Sequence, residues 1–357
     1  MELIRAPFPW FGGKARVASL IWDRLGWDIG TYVEPFAGSC AVALNRPDKF
    51  KGWITLNDID GNISNFWRAM EQAPEEVAIH ASSPVNECDL HARHLWLVNN
   101  AQKLTSRLMA DPDYFEPKTA GWWAWGLCLW IGGGWCSGQG GWMAQEDEEG
   151  IHALVSLSNG GQGVSRRLPH LGGGQGVARK LPHLSNGGQG VARKLPHLGD
   201  GGKGVARKLP HLGDGGKEAQ RLEFLNTWFA KLSDLLHDSR TCCGSWERVL
   251  SIGTMTRNGI AGVLLDPPYS LTDAVYTHDS KSISGEVREW ALANGENPLL
   301  RIALCGHTAE GHEILESHGW KVAKWNSSGY QGGDDRERIW FSPHCISPEM
   351  GGLFQDV

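Results

Sequence analysis

The run Val263-Leu264-Leu265-Asp266-Pro267-Pro268-Tyr269 sets an acid, two prolines and an aromatic directly after an apolar stretch. Gly262 to Leu265 reads as a buried strand, and the prolines cannot continue it. Asp266 is then presented at the carboxyl end of a strand, where open α/β sheets place their ligands. Its carboxylate offers acceptor oxygens. Pro267 and Pro268 fix the backbone, so the Pro267 carbonyl points in a set direction. Tyr269 offers a flat face. Together these groups can accept both hydrogens of an exocyclic amino group while a ring stacks on the base that carries it. The plainer alternative is a strand end followed by a Pro-Pro turn.

Other stretches must supply the rest of such a site. Pro7-Phe8-Pro9-Trp10-Phe11-Gly12-Gly13-Lys14 is an aromatic and glycine segment ending in a cation. Gly12 and Gly13 allow a close backbone approach. Lys14 could hold a carboxylate, and Trp10 could pack against a cofactor. The same residues could be only a loop before a helix spanning Arg16 to Leu25. Thr31 to Glu34 reads as a strand running into Glu34-Pro35-Phe36-Ala37-Gly38-Ser39-Cys40, followed by a helical start at Ala41 to Asn45. Strand, glycine turn and helix bring a ligand onto backbone N–H groups. An acid at the strand end would repel phosphate and suits a cationic or hydroxyl-bearing ligand. Neither G-x-G-x-x-G nor G-x-x-x-x-G-K-[ST] is present. A second strand, Trp53 to Leu56, ends at Asn57-Asp58-Ile59-Asp60, and Asp58 lies 24 residues after Glu34. An acid about 20 residues past the first glycine turn is the expected partner of ribose hydroxyls. It could equally cap the helix that begins near Gly61.

The 357 residues suggest one large domain or two. No apolar run nears the ~20 residues of a membrane helix, and the first residues do not resemble a signal peptide. The eight cysteines form no C-x-x-C pair, so structural zinc is not expected and a reducing cytoplasm is the simplest home. The net charge of -6 hides an asymmetry. Residues 158–217 hold ten Lys or Arg against two Asp, a net of +8 that leaves -14 on the rest. A basic island in an acidic chain points to a polyanionic partner.

That island is a tandem repeat. Gly-Val-Ser-Arg-Arg-Leu-Pro-His-Leu starts at Gly163, and Gly-Val-Ala-Arg-Lys-Leu-Pro-His-Leu starts at Gly176, Gly190 and Gly204. Each unit is too short and too polar to bury a core. Its basic pairs, Arg166 and Arg167, Arg179 and Lys180, Arg193 and Lys194, Arg207 and Lys208, form a comb that could follow a phosphate backbone. A linker grown by duplication is the alternative. The repeat histidines lack clustered partner ligands, so no metal site is expected. Upstream, residues 121–142 hold six tryptophans. They read as a helix and turn with a small aromatic core, or as platforms for one or two nucleic-acid bases.

Helices are expected over Asn62 to Met70, Leu90 to Leu108 and Glu218 to His237, with a turn or short helix at Trp246 to Leu250. Strands follow at Arg240 to Cys243, Leu299 to Cys305, Trp320 to Trp325 and Arg338 to Phe341, with a helix over Glu310 to Ser317. No helix separates the last two strands, so they should pair antiparallel. The sheet is then mostly parallel with one reversed strand near its edge.

Taken in order, these motifs resemble the Dam-like DNA adenine methyltransferases over roughly residues 5–70 and 218–345. The closing segment Arg338 to Cys345 and the repeated insertion are similar to phage or prophage members. The resemblance implies an α/β, Rossmann-like, seven-stranded mixed sheet that uses S-adenosylmethionine. It divides the chain into a catalytic domain at 1–85 and 218–345, an inserted target-recognition region at 86–217, and a tail at 346–357. Trp10 and Lys14 would contact the methionine part of the cofactor, with Gly12 and Gly13 beside them. Glu34, Pro35, Phe36, Gly38 and Ser39 would line its pocket, and Asp58 would take the ribose hydroxyls. Asp266, Pro267, Pro268 and Tyr269 would hold a flipped adenine of double-stranded DNA. Family members often carry an acid after the third strand; Gly244-Ser245-Trp246 stands here, which leaves Ser245 or a backbone group for the cofactor's adenine. A monomer is expected, or a weak dimer on DNA. Methylation of the cytosine amino group uses the same chemistry, and a DNA-binding protein without turnover could keep the same fold. No Pro-Cys pair exists to supply the nucleophile of ring-carbon methylation.

Deleting residues 176–212 should weaken DNA binding and flatten its dependence on salt, because phosphate-pairing cations are removed. Binding titrations at several salt concentrations check this, and an unchanged slope assigns the repeats to a linker.

Overall fold

The computed structural model describes residues 3–10, 12–111, 113–130, 135–136, 142–146, 152–156, 218–268, 280–308, 310–325 and 337–347. The strands are β1 (Thr31–Glu34), β2 (Trp53–Asp58), β3 (Trp142–Glu146), β4 (His152–Ser156), β5 (Ser239–Cys243), β6 (Ala261–Leu265), β7 (Leu300–His307), β8 (Lys321–Lys324) and β9 (Glu337–Phe341). Seven of them form one sheet in the order β5-β2-β1-β6-β7-β9-β8. Neighbours from β5 through β7 run parallel. Strand β9 runs antiparallel to both β7 and β8, so the reversed strand lies one position in from the edge. This is the α/β mixed sheet that the motif order implies.

Central strands β1 and β6 are buried at every residue. Parallel strands covered on both faces read as continuous apolar runs rather than alternating ones. Their side chains still divide by the period of two. Tyr32, Leu264, Ala303 and Ile339 join one cluster, whereas Val33, Val263, Leu265, Ile302, Leu304 and Trp340 join the other.

The helices are α1 (Ala18–Leu25), α2 (Ala41–Leu44), α3 (Gly61–Gln72), α4 (Pro74–Ala81), α5 (Glu87–Ala110), α6 (Pro117–Leu129), α7 (Glu218–Leu236), α8 (Ile252–Met255) and α9 (Ser280–Asn294). Local chemistry sets several starts. The Asp60 side chain accepts from the Asn62 N–H at 2.8 Å and caps α3. Asn86 caps α5 through the Cys88 N–H at 2.9 Å. Pro74 opens α4, with Glu75 and Glu76 in its first turn. Among the described residues no helix is long and apolar enough to cross a membrane.

The structure departs from expectation in four places. The helix expected from Arg16 begins as a 3₁₀ turn, Ala15–Val17, before α1. The helix expected at Glu310 to Ser317 is a 3₁₀ segment, His312–His318, between Gly311 and Gly319, both left-handed. A seven-residue stretch bounded by two such glycines has little room for regular α-helix. Helices α4 and α9 carry periodicity that was not read from the sequence. Strands β3 and β4 form a separate antiparallel pair, and their mixed Gln, Glu, His and Ala content gives no strong strand signal.

Helices α5 and α6 fall within the stretch expected as an insertion, yet they share the main cluster with α3 and α4. Four of the six tryptophans at residues 121–142, Trp123, Trp125, Trp130 and Trp135, are buried. Trp123 packs edge-on against Phe8 at 4.9 Å between ring centroids and lies 5.6 Å from Phe66. The buried indole N–H groups find carbonyls: Trp125 donates to Ser83 at 2.8 Å and Trp135 to Trp123 at 3.1 Å. Trp122, half-buried, carries Lys118 and Arg93 over its ring at 4.7 and 5.2 Å.

Trp123→Ala should lower the free energy of unfolding by about 3–5 kcal/mol, the usual cost of truncating a buried aromatic. Urea denaturation measures it. A loss below about 1 kcal/mol would be surface behaviour and would take Trp123 out of the core.

Candidate active site

The carboxyl ends of β1, β2, β5 and β6 meet on one edge of the sheet, and polar groups of β2 tie the loops that leave them. Buried Asn57 donates to the carbonyls of Pro35 and Gly244, each at 3.0 Å. Its own carbonyl accepts the Ala37 N–H at 2.8 Å, and the Asp58 carbonyl accepts Gly244 N–H at 3.0 Å. The Asp58 carboxylate takes the N–H groups of Gly38 and Asp60, both at 3.0 Å. The turn after β1 and the loop after β5 are thus fastened to the end of β2.

Gly38 must be glycine on two counts. Its φ is 44°, and a Cβ there would sit 2.4 Å from Trp10 Nε1. Trp67 Nε1 donates to the Gly38 carbonyl at 2.7 Å. The segment before α1 is therefore laid against the turn after β1, with Phe8 and Trp10 anchored in the aromatic cluster.

The result is an open cleft lined by Trp10, Gly12, Gly13, Lys14, Glu34, Phe36, Ser39 and Asp266, with Ala37, Ala41, Val42 and Leu264. Of the other residues singled out, Pro35, Gly38 and Asp58 stand behind this lining and hold it in the ways just given. Ser245 is exposed and donates to Glu247. Pro267 is buried and Pro268 half-buried after β6. Tyr269 and the basic pairs at Arg166, Arg167, Arg179, Lys180, Arg193, Lys194, Arg207 and Lys208 lie outside the described residues.

Lys14 is 3% exposed, and its Nζ lies 2.9 Å from Asp266 Oδ1, whose side chain is 23% exposed. Nζ also donates to the Gly12 carbonyl at 2.8 Å and sits 5.8 Å from the centre of the Trp325 ring. Burial alone would discharge this lysine. The attraction of Asp266, with smaller contributions from Cys305 and then Glu337, outweighs it and raises the Lys14 pKa. Lys14, read from the sequence as a partner for a ligand carboxylate, is thus engaged by a carboxylate of the chain itself.

Glu34 also differs from expectation. Its Oε1 accepts the Tyr32 hydroxyl at 2.6 Å and the Ala43 N–H at 2.9 Å, so the side chain is turned into the fold. Burial pushes its pKa up to about 7 against the opposing effect of those two donors. Burial likewise moves Asp58 to about 7, with the backbone donors of Asp60 and Gly38 opposing. Near neutrality each carries only part of its charge.

Three contributors escaped sequence reading. Asn57 offers no signal beyond lying next to Asp58. Glu247, an acid after β5, stands two residues beyond Ser245, which donates to it. Trp246 stacks on Phe36 with centroids 6.0 Å apart and planes 24° apart, flanking this loop with two rings.

Residues 10–95, which run from Trp10 through the Gly38 turn and Asp58 into α5, match the family model of the D12 class N6 adenine-specific DNA methyltransferases. The match covers 86 of the 357 residues and makes this amino-terminal part similar to a D12 class methyltransferase domain. Its family methylates N6 of adenine in DNA, so this is an enzyme of DNA adenine methylation. No curated protein matches the chain. In D12 terms the matched segment supplies the amino-terminal half of the cleft, and Asp266 comes from strand β6 beyond the match.

The raised Glu34 pKa fixes a pH dependence. Its folded value of about 7 lies above the ordinary 4.5. The unfolded chain therefore loses this proton first, and stability falls as pH rises from 4.5 to about 7. Unfolding of the wild type and of Glu34→Gln across this range should show a decline that is shallower in the variant, where Asp58 still contributes its own. Parallel curves would place the Glu34 titration elsewhere.

Proposed function

We propose that this protein transfers a methyl group from S-adenosylmethionine to the N6 amino group of an adenine flipped out of double-stranded DNA, and that it is of the phage or prophage type. The observation that carries this reading is Asp266, held at the carboxyl end of β6 on the wall of the cleft and backed by buried Lys14.

The lining suits such a cofactor. Trp10 and Phe36 offer apolar faces, Ser39 a hydroxyl, and Glu34 partial negative charge for a cationic, hydroxyl-bearing molecule, with Asp58 adding its own from behind the lining. Gly38 lets the Trp10 ring pack against the turn after β1, where a Cβ would clash with it. S-adenosylmethionine, when bound, supplies an electrophilic methyl group on a positive sulfonium. Trp10, Gly12 and Gly13 hold its amino-acid end, Asp58 its ribose, and Phe36, Ser245 and the Trp246–Glu247 loop its adenine.

The target amino nitrogen is a poor nucleophile because its lone pair is delocalised into the ring. Asp266 and the Pro267 carbonyl accept its two hydrogens, which draws the nitrogen toward tetrahedral geometry and localises the pair. As the nitrogen–carbon bond forms, the bond from the methyl carbon to sulfur breaks and its electron pair stays on sulfur as a neutral thioether, while one amino proton is lost along the hydrogen bond to Asp266 and on to solvent. Alignment, rather than a strong base, is what the residues provide. Tyr269 stacks on the base, which must leave the duplex to reach them. The basic repeats at 158–217 track the phosphates, within a target-reading region that we place at 86–217.

Asp266→Ala should reduce methyl transfer by at least about 100-fold while DNA binding persists. Tritium-methyl S-adenosylmethionine with unmethylated DNA, followed by nucleoside analysis, reads both product and rate. Label in methylcytosine, or turnover retained in the variant, would overturn this assignment.

A further inference from the structure

Lys14 has a second carboxylate nearby. The period-two alternation puts Leu264 and Asp266 on one face of the sheet. Across the next strands, Cys305 and His307 of β7 and Glu337 and Ile339 of β9 share that face, with Cys305 opposite Ile339 and His307 opposite Glu337. His307 Nε2 lies 3.5 Å from Glu337 Oε1, with side chains 4% and 6% exposed. The Glu337 carbonyl accepts the Trp325 N–H at 3.5 Å, and the Trp325 ring is the one beside Lys14 Nζ. Glu337 thus stands on the same sheet face as Asp266, two strands away, fixed by β9 and by His307. Its negative charge is one of those that raise the Lys14 pKa.

We propose that Glu337 is a positioning residue that shares the Lys14 charge with Asp266. This rests on the role given above to Asp266. While the site is empty of DNA, Lys14 bonds Asp266. When an amino group arrives, Asp266 must turn its oxygens to that group. A buried ammonium left without a counter-charge would oppose the move. Glu337 supplies that counter-charge, so Asp266 is released without discharging Lys14. No bond is made or broken in this step; a hydrogen bond changes partner.

The ligand-free protein tests it directly. With ¹⁵N-labelled lysine, the Lys14 ammonium is followed by NMR through a pH titration. In Asp266→Asn it should still titrate above the ordinary 10.5, because Glu337 remains. In Asp266→Asn with Glu337→Gln it should fall below that value. A fall in Asp266→Asn alone overturns the proposal, and this comparison decides even if the double variant does not fold. In the active enzyme, Glu337→Gln should lower kcat about tenfold with KM for DNA and cofactor little changed, and Glu337→Asp should recover most of it. Wild-type kcat in Glu337→Gln also overturns it, as does an equal loss in both variants that follows a drop in Tm. A wild type that methylates no DNA would defeat the functional reading instead, leaving the NMR result to judge Glu337.

Discussion

The site depends on one buried ion pair, Lys14 with Asp266. Two charges taken out of water are stable only when each keeps its partner, and removing one typically costs ~3–5 kcal/mol. The pair joins parts of the chain 252 positions apart, the segment before α1 and the end of β6. It therefore brings an amino-terminal loop to the strand that ends in Asp266. It also keeps the Asp266 carboxylate charged and aimed into the cleft. A carboxylate that must accept two hydrogens from a neutral amino group gains from being charged beforehand.

The pair in turn depends on what holds its loop. Trp10 reaches the turn after β1 only because Gly38 carries no Cβ. Phe8 is gripped by Phe66, Trp67 and Trp123 from α3 and α6. Helix α6 lies well past the family match at residues 10–95, yet its aromatics hold the first strand-capping segment in place. Much of the tryptophan-rich stretch is thus framework, and Trp122, with its two cations, is the half-buried exception.

A second support runs along β2. Asn57 and Asp58 bond the loops that follow β1 and β5, using both side chains and both carbonyls. Asp58 is consequently both a loop fastener and a cofactor candidate. The capping role foreseen for an acid before α3 belongs instead to Asp60, two residues on. Burial raises the pKa values of Glu34 and Asp58 together, so the rear of the cleft is less negative than a count of acids suggests.

The sequence by itself determined the strands of the seven-stranded sheet and the order of the motifs. Apolar runs that end in Glu34, Asp58 and Asp266 mark strand ends, because those side chains cannot continue into a dry core. The glycine-rich sequence between Trp325 and Arg338, with no helical pattern, implied the reversed strand, since a short connection permits only antiparallel return. Tertiary structure alone decided which atoms each acid meets. Lys14 finds Asp266 rather than a free ligand, Glu34 turns to Tyr32 and Ala43, and Asn57 bridges loops far apart in the chain. Such partners are set by register and packing across strands distant in sequence. Local pattern carries no record of them, because spacing fixes the face on which a side chain emerges but not what another strand places opposite it.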